Sequence, residues 1–128
     1  ILPKMIGGTA FDERAFRDQV VAGLRYAQKS AIASRRTVCA NFFPSPARVT
    51  FDISTANGAA NCVVGNALAG PDTNSLVVTA TGSTSFATLP ASIIFDAAGR
   101  PGSGATVNVS GLPAALTITL EAETGYVH

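Results

Sequence analysis

The sequence predicts an α+β fold in which one N-terminal amphipathic α-helix packs on antiparallel β-sheets of six to seven short strands. Apolar residues recur every three or four positions in the first third of the chain, which is the period of a helix that buries one face. After Arg36 they alternate with polar residues, which is the period of a strand. The 128 residues are 47% hydrophobic and 13% charged, a composition that favours a packed core over disorder. We therefore expect a single domain over residues 1–128, with a helix at about residues 10–35 and a β region at about residues 37–128.

The predicted helix runs from about residue 11 to residue 34. Thr9 precedes it and Asp12 follows three residues later, which is a variant of the capping-box spacing. Charged and polar side chains separate the apolar positions, so the face opposite the core is expected to be polar. The apolar stripe that is predicted to pack on the sheet consists of Phe16, Val20, Leu24, Ala27 and Ala31.

Short strands are predicted over the remainder of the chain. The alternation is clearest at residues 48–53, where Val49, Phe51 and Ile53 share one face. Asn57 and Gly58 mark a turn, and glycine and proline interrupt the later strands. The predicted strands are residues 37–43, 48–53, 60–64, 75–81 and 92–95, followed by alternation at Val107 and Val109 and at Leu116, Ile118 and Leu120.

The net charge of +1 is unevenly distributed. Residues 1–36 contain seven basic and three acidic residues, a net charge of +4, whereas residues 37–128 contain two basic and five acidic residues, a net charge of −3. A basic first third could attract phosphates or anionic lipid headgroups. It could equally be a solvated helix face, or a surface that meets acidic neighbours in an assembly. The candidate DNA contacts are Arg25, Lys29, Arg35 and Arg36.

Cys39 and Cys62 are the only cysteines, and both lie in segments that resemble strands. Two cysteines without a CxxC motif are too few for a zinc site unless His128 and a carboxylate join them. A disulfide is expected in an oxidising compartment, and two separate buried thiols are expected in a reducing one. Both alternatives stay open at this point.

Catalytic chemistry has few candidates. The only histidine is His128, the last residue of the sequence, which is a poor position for a Ser-His-Asp or Cys-His arrangement. Glu121 and Glu123 could form a carboxylate pair, but a charged strand edge that discourages aggregation explains them as well. Asp72 and Asn74 carry only a fragment of calcium-loop spacing. We therefore expect a protein that is not an enzyme and that has no cofactor and no metal site.

Three segments of the sequence carry recognisable motifs. Residues 11–42 contain Ala-Gln-Lys-Ser-Ala at residues 27–31, within the predicted helix. Residues 94–100 contain Phe-x-x-x-Gly, here Phe95 to Gly99, and residues 116–127 end in Thr-Gly-Tyr-Val. In this order the segments resemble the helix, a strand and the closing strand of GspH/FimT-type pseudopilins, the minor pilins of type IV pilus and type II secretion systems. The sequence of residues 26–31, together with Val38 and Cys39, is similar to that of the minor pilin of MSHA-type (mannose-sensitive haemagglutinin) pili.

The resemblance implies a type IV pilin-like fold and a structural subunit that assembles with other pilin subunits through its N-terminal helix. It also implies an inner-membrane precursor with a single-pass anchor and a periplasmic domain, which later joins the pilus or pseudopilus at the cell surface. The sequence contains no run of about 20 apolar residues, so we expect that the transmembrane half of the helix is absent from it. A periplasmic location favours the disulfide between Cys39 and Cys62.

Two alternative roles follow from the resemblance. Some FimT-like members bind DNA during natural transformation through a basic C-terminal region, whereas this sequence ends in Gly-Tyr-Val-His after Glu121 and Glu123. The arginines of the helix keep DNA binding as a second hypothesis. A surface adhesin is the third.

Overall fold

The computed structural model describes residues 2–128, and it describes side chains from residue 11 onward. The chain forms one long helix followed by seven strands and a short 3₁₀ helix (Ala114–Leu116). The elements are α1 (Leu2–Ser34), β1 (Val38–Pro44), β2 (Ala47–Ser54), β3 (Gly65–Ala67), β4 (Val77–Thr79), β5 (Ile93–Phe95), β6 (Ala105–Val107) and β7 (Ile118–Leu120). The predicted α+β class with an N-terminal helix on antiparallel strands is confirmed.

Helix α1 begins at Leu2, so the predicted start near Phe11 with a cap at Thr9 is wrong. Thr9 lies inside the helix, so the Thr-x-x-Asp spacing does not mark its first residue. Pro3 falls in the first turn, where a helix leaves its N–H groups unpaired and proline is tolerated. The helix ends at Ser34, as predicted. Arg35 then adopts a left-handed conformation with a φ of 56°, and the Arg36 N–H bonds to the Ala31 carbonyl at 3.2 Å. This is a Schellman motif with arginine in the place where glycine is usual.

The predicted apolar stripe is confirmed as the face of α1 that packs on the sheet. Phe16, Val20, Leu24, Ala27 and Ala31 are all at most 2% exposed. Gly23 lies beside this stripe and brings the helix close to the sheet, since a Cβ there would lie 3.0 Å from the Phe51 ring.

All strand pairs are antiparallel, and they form two sheets. In the first sheet, β2 lies at the centre: it pairs with β1 on one side and with both β3 and β4 on the other, while β5 pairs with β1. The second sheet consists of β6 and β7, and a bridge from Leu120 to Val127 extends it by the C-terminal residues. Alternate residues of β1, such as Val38 and Ala40, face the helix, so Cys39 between them faces away.

The strand predicted at residues 60–64 is wrong. That segment consists of bends, and β3 begins only at Gly65. Gly65 lies so close to β2 that an added Cβ would be 2.5 Å from the Ile53 carbonyl oxygen. Residues 60–64 therefore form a loop that leads into β3. The predicted strand at residues 75–81 is correct in place but reduces to Val77–Thr79.

Candidate interaction surfaces

Polar side chains of α1 bond to backbone carbonyls of the loops that follow the strands. The Gln28 Nε2 group donates to the Gly99 carbonyl at 3.2 Å and to the Thr124 carbonyl at 2.9 Å. Gly99 and Gly125 both have positive φ, at 80° and 73°. A Cβ on Gly99 would lie 2.7 Å from Ile32 Cδ1, and one on Gly125 would lie 2.1 Å from the Gly99 carbonyl oxygen. We call Gln28, Gly99, Thr124 and Gly125 the Gln28 junction.

The Gln28 junction unites the three segments that carried the family resemblance. Gln28 comes from the helix segment, Gly99 from the Phe-x-x-x-Gly turn and Gly125 from the closing Thr-Gly-Tyr-Val segment. Because neither glycine has room for a side chain, the spacing of these motifs is explained by packing. Sequence reasoning identified each motif but missed that they meet. The paired bonds from one glutamine to two distant loops left no signal in local sequence.

Two of the four candidate DNA contacts hold the chain together. The Arg25 guanidinium donates through Nε and Nη2 to the Val127 carbonyl, at 3.0 and 2.8 Å. The Arg36 guanidinium donates to the Thr55 carbonyl. Lys29 and Arg35 are exposed, and neither has a hydrogen bond or an ion pair with any described side chain. Arg25 and Lys29 are four residues apart on one helix face, so they are neighbours with different roles.

We expect Arg25→Ala to lower the free energy of unfolding by about 1 to 2 kcal/mol, because the bonds to Val127 are lost, whereas Lys29→Ala changes it by less than about 0.5 kcal/mol. Denaturant unfolding of the two variants measures the difference. The same proteins test DNA contact by titration at about 50 mM salt, where phosphate contacts are strong. Equal stability of the two variants would contradict the anchoring role of Arg25.

Cys39 and Cys62 form a disulfide, with their Cα atoms 6.1 Å apart. The disulfide fixes the segment before β3 to the sheet face that lies away from the helix. The Thr37 hydroxyl adds a second tie, since it donates to the Ala59 carbonyl. Val63 and Val64 project from this segment and are 85% and 72% exposed. The structure thus holds two apolar side chains in solvent on a loop that is tied at both ends.

We expect the double variant Cys39→Ala with Cys62→Ala to lose about 3 kcal/mol of stability, because the bond closes a loop of 23 residues in the unfolded chain. The measurement is denaturant unfolding of the oxidised protein and of the variant. Thiol titration of the unfolded protein, before and after reduction, provides the control, with two thiols appearing only after reduction. A thiol count of two before reduction contradicts the pairing.

The carboxylates that sequence analysis singled out are engaged locally. His128 Nε2 lies 2.7 Å from Glu121 Oε2, and the Tyr126 ring stacks on the His128 ring at 4.9 Å. The Asp72 carboxylate accepts hydrogen bonds from the backbone and side-chain amides of Asn74, at 3.1 and 3.4 Å. Within residues 2–128, no three His, Cys, Asp or Glu side chains come together in a way that could hold a metal ion.

None of the helices within residues 2–128 combines the length and the hydropathy needed to cross a membrane.

Residues 17–124 match the protein-family model described as type II transport protein GspH. The matched range covers most of the chain, including the sheet-facing stripe of α1 from Val20 to Ala31 and both cysteines. Comparison with curated proteins gave no match, and comparison with solved structures gave none.

Proposed function

The chain belongs to the type II transport protein GspH family, and on this premise we propose that it is a minor subunit acting in the assembly, or at the tip, of a pilus-like filament. Proteins of this family are pseudopilins, structural subunits that assemble with other pilin subunits and reside at the membrane and in the periplasm. Under this proposal the chain performs no catalysis, and the machine it serves is a type II secretion pseudopilus or a type IV pilus. The MSHA-type assignment stays a prediction.

The observation that carries the proposal is the length of α1 relative to its contact with the sheet. Phe16 is the first buried residue of α1 among residues 11–34, yet the helical backbone continues back to Leu2. Phe11 lies between these points and is 73% exposed. An exposed phenylalanine five residues before the first buried position of the stripe is a surface suited to another apolar helix. We propose that this part of α1 packs against helices of neighbouring subunits.

Membrane attachment is part of the proposal and rests on the family. We propose that an apolar segment N-terminal to α1 anchors the subunit before assembly and that α1 continues into it. The β region then faces the periplasm, where the disulfide between Cys39 and Cys62 forms.

The proposal is tested in cells that lack the gene and carry an epitope-tagged full-length copy. We expect the deletion to reduce the number of filaments or the secreted cargo, and the tagged protein to be found in sheared filaments in small amounts. Normal filament numbers in the deletion strain, together with absence of the tagged protein from the filament fraction, would overturn the proposal.

A further inference from the structure

A groove of about 490 Å³ runs between α1 and β4. Strand β4 pairs with β2 alone among the strands that the structure describes, so its other side is an open edge. The groove is lined along this edge by Val77, Val78 and Thr79 and on the helix by Ala22 and Tyr26. An edge strand beside a groove is a place where another polypeptide can add to the sheet.

The backbone of β4 has its free hydrogen-bonding groups on the groove side. The Ala80 N–H bonds to the Ala47 carbonyl of β2 at 2.9 Å. Successive residues of an antiparallel strand alternate in direction, so Val78 also faces β2, while the N–H and C=O groups of Val77 and Thr79 point to the open edge. Only an extended backbone offers donors and acceptors at the spacing that satisfies these groups.

The groove is apolar along β4 and basic at one end. Ala22 and Val77 are exposed in it, and Val77 is 47% exposed. A second cavity of about 420 Å³ adjoins it, shares Ala22 and Tyr26 with it, and is lined by Arg25 and Lys29. The Arg25 guanidinium keeps its bonds to the Val127 carbonyl, so a ligand that follows the groove meets apolar surface first and the Lys29 ammonium afterwards.

The position of the basic end determines in which direction a bound strand runs along the groove. Tyr26 donates its hydroxyl proton to the Ala69 carbonyl, and Ala69 bridges to Ser75 just before β4. At the other end, a Cβ on Gly82 would lie 3.6 Å from Asp12 Oδ2. Strand β4 thus runs opposite to α1, from the basic end of the groove to an acidic one. A strand added antiparallel to β4 runs in the direction of α1 and ends near Lys29.

We propose that this groove binds an extended segment of a partner protein, which adds to β4 as an antiparallel strand and carries alternating apolar residues followed by acidic residues. The apolar residues cover the groove between Ala22 and β4, and the acidic residues meet Lys29. The inference rests on β4 and the helix face alone, and it holds whether or not the chain is a filament subunit.

The test uses a synthetic octapeptide with alternating apolar residues and two trailing glutamates, Val-Ser-Ile-Thr-Val-Glu-Ser-Glu, and the isotope-labelled 128-residue chain with its disulfide intact. We expect backbone amide shifts in NMR spectra to be confined to residues 19–30 and 76–80. A control octapeptide of the same composition, with its acidic residues at the N-terminal end, is expected to bind roughly 2- to 5-fold more weakly, since the exposed ion pair with Lys29 is misplaced.

Two variants separate groove binding from general adhesion. Ala22→Trp fills the groove from an exposed position and is expected to weaken binding at least about 10-fold, because the strand's place on β4 is occupied. Val64→Lys changes an exposed apolar residue on the disulfide loop and is expected to leave binding unchanged. Thermal unfolding of both variants checks that they fold.

Three results would overturn the proposal. One is the absence of amide shifts at about 2 mM peptide, a concentration at which even a millimolar complex is well populated. Another is binding that Ala22→Trp does not weaken, or that the control octapeptide matches. The third is concentration-dependent dimerisation without peptide that Ala22→Trp abolishes, which would assign the groove to a second copy of this chain.

Discussion

Replacing Gly125 with alanine is expected to destabilise the domain by about 3 kcal/mol or more, a substantial part of the roughly 5 to 15 kcal/mol typical of a native domain. Two effects add at this position. The backbone has a φ of 73°, which L-residues with a side chain rarely adopt, and the new Cβ would lie 2.1 Å from the Gly99 carbonyl oxygen. Relief of that contact has to displace Gln28 or the turn at Gly99, and either movement breaks the Gln28 junction.

Gly58 provides a matched control for this substitution. It has nearly the same φ, 72°, but a Cβ there would meet nothing within 4 Å. Gly58→Ala is therefore expected to cost only the conformational part, about 1 kcal/mol. Denaturant unfolding of the two variants separates crowding from backbone strain. Equal losses within about 0.5 kcal/mol would show that the Gln28 junction is loosely packed and that our account of it is wrong.

Phe16→Ala is expected to cost about 3 to 5 kcal/mol, the range for a buried phenylalanine. Phe16 is 2% exposed and packs on the Phe86 ring at 5.4 Å between ring centres, and Phe86 in turn meets the Phe42 edge at 5.5 Å. Removing the Phe16 ring therefore opens a cavity between α1 and β1 and leaves Phe86 without one of its two aromatic partners.

Phe11 is the matched control on the same helix. It is 73% exposed, so Phe11→Ala removes the same ring without opening a cavity and is expected to change stability by less than about 0.5 kcal/mol. Both substitutions alter helix propensity equally, so the difference between them measures burial alone. Comparable losses from the two variants would mean that the helix contacts the domain over a longer stretch than residues 16–31.

The helix face and the central strands could be predicted because each depends on a short, regular pattern. The spacing of Phe16 to Ala31 defines one side of a helix, and the alternation of Val49, Phe51 and Ile53 defines one side of β2. Burial in the structure follows the helix pattern throughout and the strand pattern as far as Phe51, after which Ile53 is half-buried and Ser54 is buried. The start of α1 was missed because Thr9 offers a local cap signal and because Pro3, Gly7 and Gly8 are poor helix formers.

The hydrogen bonds between helix α1 and the later loops could not be predicted, because they join residues far apart in the chain. Gln28 is 71 residues from Gly99, and Arg25 is 102 residues from Val127. Sequence analysis placed these polar side chains on a solvated or ligand-binding face, since a helical wheel shows only which side a residue lies on. The disulfide was anticipated as one of two outcomes, and the choice between them depended on the compartment that the family resemblance implied.

The central claim is that the N-terminal part of α1 is an interface with other pilin subunits. Photo-crosslinking from position 11 of the full-length protein, in cells that assemble the filament, tests it most directly. A photoreactive residue in place of Phe11 is compared with one in place of Val64, which is 72% exposed on the loop held away from the helix. If this part of α1 is the interface, we expect adducts with other pilin subunits from position 11 and markedly fewer from position 64. Absence of any pilin adduct from position 11, in cells where filaments form, would contradict it.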